Sequence, residues 1–195
     1  MHVLVDTNGD GLEDKAELFW KNEGSIRGPI GMVLTPKGYS HGQGLFVASK
    51  GKVSFLVDRN GDDRADEEVV VATGWKEITQ NVDATGMTLG PDGSLYFGLG
   101  TANYANGYLI GPDGKAEYDL KSERGTVQRI SPDLKSRETI CTGIRFPIAF
   151  SFNRKGDLFC TEQLPPGSQS FDELLLSIGT SLWISTATSA LTIPM

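Results

Sequence analysis

Apolar positions in this chain come in short runs. Segments such as Gly44-Leu-Phe-Val-Ala-Ser and Ser94-Leu-Tyr-Phe-Gly are bounded on both sides by glycine, proline and aspartate turns. Runs of that length and composition predict β-strands. One set of four is expected over residues 31–35, 44–49, 52–58 and 67–73, and a second over 86–90, 94–98, 126–131 and 138–142. A pair at 3–6 and 15–20 precedes them, and a pair at 148–153 and 157–163 follows.

These elements repeat. Val3-Leu-Val-Asp-Thr-Asn-Gly-Asp-Gly returns 52 residues later as Phe55-Leu-Val-Asp-Arg-Asn-Gly-Asp-Asp. A turn followed by a small-flanked apolar strand occurs three times, with its leucine at Leu45, Leu95 and Leu158. A period of about 50 to 60 residues matches one four-stranded propeller blade. The fold expected is therefore all-β, a partial β-propeller of about three four-stranded blades over residues 1–175. Propellers close with roughly four to eight blades, each burying its faces against its neighbours. Three blades leave two apolar faces open, and pairing of two chains as a homodimer through those ends is one way to cover them.

Composition narrows the function classes. The 24 glycines in 195 residues exceed the usual share of about seven per cent and agree with many turns. A net charge of −7 with no lysine or arginine block gives no footprint for nucleic acid or an anionic membrane surface. Cys141 and Cys160 form neither a disulfide framework nor a metal-binding pair, and packing as small hydrophobes is the expectation. The first residues carry no signal peptide. Residues 176–195 differ from the rest: from Leu174 to Met195 there is no charged residue, and eight of the 22 are serine or threonine. That content, with Gly179 and Pro194, argues against membrane insertion.

The sharpest motif is Asp6-Thr-Asn-Gly-Asp-Gly-Leu-Glu-Asp-Lys-Ala-Glu17, which follows the spacing of a twelve-residue calcium loop. Calcium takes six to eight oxygens. Asp6, Asn8, Asp10 and Asp14 would supply side-chain oxygens and Leu12 a carbonyl. The second copy keeps Asp58, Asn60, Asp62 and Asp66 at the same four offsets, whereas Gly11 becomes Asp63 and Glu17 becomes Val69. The shared unit is thus D-x-N-x-D-x3-D between strands, a bracing ion site rather than a helix-flanked sensor. A solvated hairpin turn without metal accounts for the same residues. Catalytic candidates are few. His2 and His41 cannot form a zinc pair, His41 reads as an exposed loop residue, and no helical pattern follows Gly98-Leu-Gly100 to make a dinucleotide site.

Two segments carry a family likeness. Gly90-Pro-Asp-Gly-Ser-Leu-Tyr-Phe-Gly-Leu-Gly, and Gly143-Ile-Arg-Phe-Pro with the strand ending Cys160-Thr-Glu-Gln163, resemble the glucose/sorbosone dehydrogenase propellers. The ion loops, Ser122-Glu-Arg-Gly-Thr126 and Phe171-Asp-Glu-Leu-Leu resemble the secreted planctomycete-type members labelled sorbosone or membrane-bound dehydrogenases. The resemblance implies a six-bladed propeller, a periplasmic or extracellular location, and oxidation of a sugar or aldehyde by pyrroloquinoline quinone with calcium. It matches Arg145 to a quinone-contacting arginine, and Glu162 and Gln163 to an acid–glutamine pair. The catalytic histidine of those enzymes is missing, because its window reads Asn81-Val-Asp-Ala-Thr-Gly86. Asp83 is the one substitute base there, with a turn aspartate as the plainer reading. A non-catalytic propeller binding carbohydrate or protein is the alternative. The resemblance also implies that residues 176–195 are out-of-frame translation, since Leu182-Trp-Ile-Ser-Thr-Ala187 is what a one-base shift makes of the family's continuing segment.

Overall fold

The computed structural model describes residues 1–75, 83–101, 123–142 and 144–162, together with the backbone of two strands at 176–178 and 180–186. The described residues are all-β. β1 (His2–Val5) and β2 (Lys15–Leu18) form an antiparallel hairpin. The second sheet is β3 (Met32–Leu34), β4 (Gln43–Ser49), β5 (Lys52–Asp58) and β6 (Glu67–Thr73) in spatial order. The third is β7 (Ala84–Leu89), β8 (Leu95–Leu99), β9 (Thr126–Ile130) and β10 (Arg137–Thr142), again in chain order. The fourth holds β11 (Pro147–Phe152), β12 (Leu158–Glu162), β13 (Leu176–Ile178) and β14 (Thr180–Thr186).

Every strand expected from the apolar runs is present within a few residues. The fourth sheet adds what the sequence did not announce: β14 pairs with β12 in parallel, Cys160 opposite Ile184, and β13 then pairs antiparallel to β14. The uncharged segment after residue 175 therefore contributes two strands.

The near-continuous apolar runs of β4 and β5 follow from burial on both faces. Leu45, Val47 and Leu56 point to the first hairpin, where Met1, Phe19 and Trp20 cover them. Phe46, Ala48, Phe55 and Val57 point the other way and meet Met87, Leu95, Phe97 and Leu99 of the third sheet. On the far side of that sheet Val127 and Cys141 meet Leu158 and Cys160. The sheets thus stack face to face, with one apolar layer on each face of the second sheet and another beyond the third sheet.

Their leading edges also touch. A Cβ built on Gly31, just before β3, would overlap the Thr85 carbonyl oxygen and stand 2.9 Å from Gly86 Cα. A Cβ built on Gly86, in β7, would overlap the Ile148 carbonyl oxygen and stand 2.9 Å from Ala149 Cα. Gly31, Gly86 and Ala149 occupy the same place in the three repeats, seven residues before the turn residues Gly38, Gly93 and Gly156. Each leading strand therefore lies on the next at the same repeat position, with glycine permitting the approach.

Candidate functional site

The two acidic loops adopt one conformation. In the first, Asp6 Oδ1 accepts the N–H of Asn8 and Gly9 at 3.2 and 2.7 Å, and Oδ2 that of Gly11 at 2.8 Å. Asn8 Oδ1 accepts from Asp10 N, and Asp10 Oδ1 from Leu12 N. In the second, Asp58 accepts from Asn60, Gly61 and Asp63 at 3.1, 2.6 and 2.9 Å, Asn60 from Asp62, and Asp62 from Arg64. The four shared offsets are thus a set of side-chain oxygens capping successive N–H groups. Closure differs. Asp14 caps the Thr7 backbone and hydroxyl, whereas Asp66 caps Arg59 N and takes the Asn60 carboxamide at 3.1 Å.

These donors set the acidity of the leading carboxyls. The N–H groups of Gly11 and Gly9 hold Asp6 below its ordinary value. At Asp58, burial pushes upward but the Gly61 and Asp63 donors outweigh it, and the net displacement is again downward. Both are carboxylates at neutral pH.

The replacement of Gly11 by Asp63 falls on a left-handed residue. φ is +87° at Gly11 and +65° at Asp63, so the second loop carries a side chain where glycine is the unstrained choice.

As a test for calcium, the donors are all hard oxygens, and Asp10 Oδ2 and Asp62 Oδ2 have no hydrogen-bond partner among the described residues. In this conformation, however, no three acidic, histidine or cysteine side chains among the described residues are grouped as metal ligands. The donor chemistry suits calcium; convergence of the carboxylates would accompany binding.

The residues matched to a quinone site meet in part. Arg145 follows the third sheet, and its backbone N–H donates to the Glu162 carboxylate at the end of β12. Its carbonyl accepts from Thr101 N at 2.9 Å. Glu162 is buried. Gln163 lies outside the described residues.

Asp83 is not a turn aspartate. It is fully buried, donating no surface to solvent; Oδ2 accepts the Trp75 indole N–H and Gly51 N, each at 2.7 Å, and Oδ1 forms an ion pair with Arg124. The node ties the β4–β5 turn of the second sheet to the third. Around it, Arg137 lies 5.4 Å over the Trp75 ring and pairs with Glu123. With its oxygens committed to three donors, Asp83 is in no position to take a proton from substrate. Among the residues matched to a quinone site, the described contact is thus between the Arg145 backbone and the buried Glu162 carboxylate.

His41 departs from the exposed loop residue expected, whereas the two cysteines pack as expected. His41 is half-buried, with a ring nitrogen 2.9 Å from the Pro132 carbonyl oxygen and its ring tilted against Tyr39. Cys141 and Cys160 are free and buried. Burial, then the nearby Glu162, pushes the Cys141 thiol up to about 12 and the Cys160 thiol further still.

Residues 1–182 match the model of a family described as a domain of unknown function, DUF7133. The chain belongs to that family. No curated protein matches it. The DUF7133 match takes in both acidic loops, the Asp83 node and the Arg145–Glu162 contact, and it ends inside β14.

The Asp83 node was missed by sequence reading because its members are spread over Gly51, Trp75, Asp83 and Arg124. The available signal was chemical: an aspartate just before β7 and an arginine just before β9 need a counter-charge if buried.

Proposed function

We propose that this DUF7133 chain is a segment of β-propeller of the glucose/sorbosone dehydrogenase type, acting as a scaffold whose loops are braced by calcium and whose face binds carbohydrate or protein. The observation that carries the reading is the repeated edge contact, Gly31 on Thr85–Gly86 and Gly86 on Ile148–Ala149. Four-stranded sheets stacked by their faces, with equivalent positions of their leading strands in contact, are what blades packed around an axis would repeat. The calcium component rests on the recurrence of Asp6, Asn8, Asp10 and Asp14 as Asp58, Asn60, Asp62 and Asp66. Non-catalytic use rests on the engagement of Asp83 and the absence of histidine in its window.

A second reading, a quinone-dependent sugar dehydrogenase, is favoured by one contact, Arg145 meeting Glu162 at the strand ends. The resemblance gives the Arg145 side chain the role of pairing with a quinone carboxylate, and the quinone when bound would supply the redox chemistry.

Calorimetric titration of the chelator-treated chain separates the two. The scaffold reading expects heat from calcium and none from pyrroloquinoline quinone added afterwards. Quinone binding that is lost in Arg145→Ala would establish the dehydrogenase reading, and absence of calcium binding would remove the bracing role.

A further inference from the structure

Each acidic loop places an asparagine immediately before a glycine: Asn8-Gly9 and Asn60-Gly61. An Asn-Gly bond is the peptide linkage most open to self-cyclisation, because glycine puts no side chain in the way of its own nitrogen. The glycine nitrogen attacks the asparagine Cγ, the new N–Cγ bond displaces the carboxamide nitrogen as ammonia, and the proton of the attacking N–H leaves with it. Water then opens the succinimide at either carbonyl, leaving aspartate or isoaspartate. No reactant other than water is required.

The structure shows what stands against this reaction. The nitrogen that must attack is the donor in the shortest hydrogen bond of each loop: Gly9 N to Asp6 Oδ1 at 2.7 Å, and Gly61 N to Asp58 Oδ1 at 2.6 Å. A carboxylate that accepts this N–H keeps the nitrogen pointed at itself and away from the asparagine side chain. The carboxamide oxygen is also held, by Asp10 N at 2.9 Å and by Asp62 N at 2.9 Å.

The loops differ in the third restraint. The Asn60 carboxamide nitrogen, the leaving group, donates to Asp66 Oδ1 at 3.1 Å. In the first loop Asp14 is instead turned to the Thr7 hydroxyl at 2.8 Å, and the Asn8 nitrogen has no acceptor among the described residues. Asp58 is also buried, whereas Asp6 is not.

We infer that Asp6 and Asp58 guard the two Asn-Gly bonds against deamidation, and that Asn8 is the less protected modification site of the pair. The inference does not rest on a propeller or on bound metal. Conversion of Asn8 adds a negative charge to the first loop, and the isoaspartate product inserts an extra backbone carbon where the capping spacing is set.

The test is peptide mass mapping of the purified full chain, chelator-treated and held in mildly alkaline buffer in isotopically heavy water, which labels each new carboxyl. Tryptic cleavage separates the two sites, one peptide ending at Lys15 and the other running from Asn60 to Arg64. A third pair, Asn106-Gly107, lies outside the described residues and is followed in the same map. Label is expected in the Asn8 peptide before the Asn60 peptide. Asp6→Ala should speed Asn8 conversion roughly tenfold, the factor that one charge-assisted hydrogen bond carries, and leave Asn60 unchanged. Asp6→Asn, which keeps a neutral acceptor, should fall between. Equal rates at Asn8 and Asn60 in the native chain, no acceleration in Asp6→Ala, or equal acceleration at both sites through general opening would each overturn the inference.

Discussion

Asp83 shows how much a single buried charge can organise. Its carboxylate gathers an indole, a backbone N–H and a guanidinium from three separate segments. Asp83→Ala would leave Arg124 buried without its carboxylate, and loss of one member of a buried pair costs about 3 to 5 kcal/mol. Chemical denaturation should show a loss of that size. Asp63 makes the opposite case. Asp63→Gly removes a side chain from a left-handed residue, and stability should rise by roughly 1 kcal/mol in the same assay. At Cys141 and Cys160, burial and the raised thiol pKa predict that alkylating reagent at neutral pH labels neither until denaturant is added. Residue types at the loops were legible from spacing alone, since capping needs oxygens two apart in sequence. The Asp83 node was not, because no local rule pairs Gly51 with Arg124.

At the scale of elements, both acidic loops are strand connectors held by carboxylates. Asp6 and Asp58 have folded-state pKa values below the ordinary 3.8, so each favours the folded chain above that value. Their contribution is lost as pH falls through the lowered folded values, because the unfolded chain takes up the protons first. Acid denaturation should accordingly begin below about pH 4, and the double change Asp6→Asn with Asp58→Asn should flatten that limb while leaving the neutral-to-alkaline limb in place; circular dichroism against pH follows it. The strands themselves were readable, since short apolar runs between glycine turns place β1 through β12 within a few residues. β13 and β14 were not, because a segment rich in serine and threonine without charge has no alternation to give away its pairing, and its parallel register with β12 is a tertiary choice. The faces were only half legible: β4 and β5 announce burial on both sides, but not which sheet covers which side.

At the scale of the whole molecule, stacked sheets place the core in layers, and two glycines set how close the layers come at one edge. Gly86→Ala would drive a methyl group into the Ile148 carbonyl, so overpacking of about 1 to 3 kcal/mol is expected as a lower melting temperature. If calcium fills the acidic loops, adding it at a hundredfold over its dissociation constant should stabilise the chain by about 2.7 kcal/mol per site, and a chelator should reverse the shift in a thermal melt. A thermal midpoint indifferent to both would confine the loops to hydrogen-bonded turns. Repeat length made the layered, all-β arrangement legible from the sequence, whereas the contact that fixes the turn from one sheet to the next depends on atoms that glycine lacks. That contact also has a geometric consequence. The two close approaches are made with glycine, but the equivalent residue in the fourth sheet is Ala149, which is exposed. Any strand laid on β11 as β11 is laid on β7 must stand off by the width of a methyl group. Like a staircase with one deeper tread, such a stack would be wider at that one step, at a place that can be named in advance.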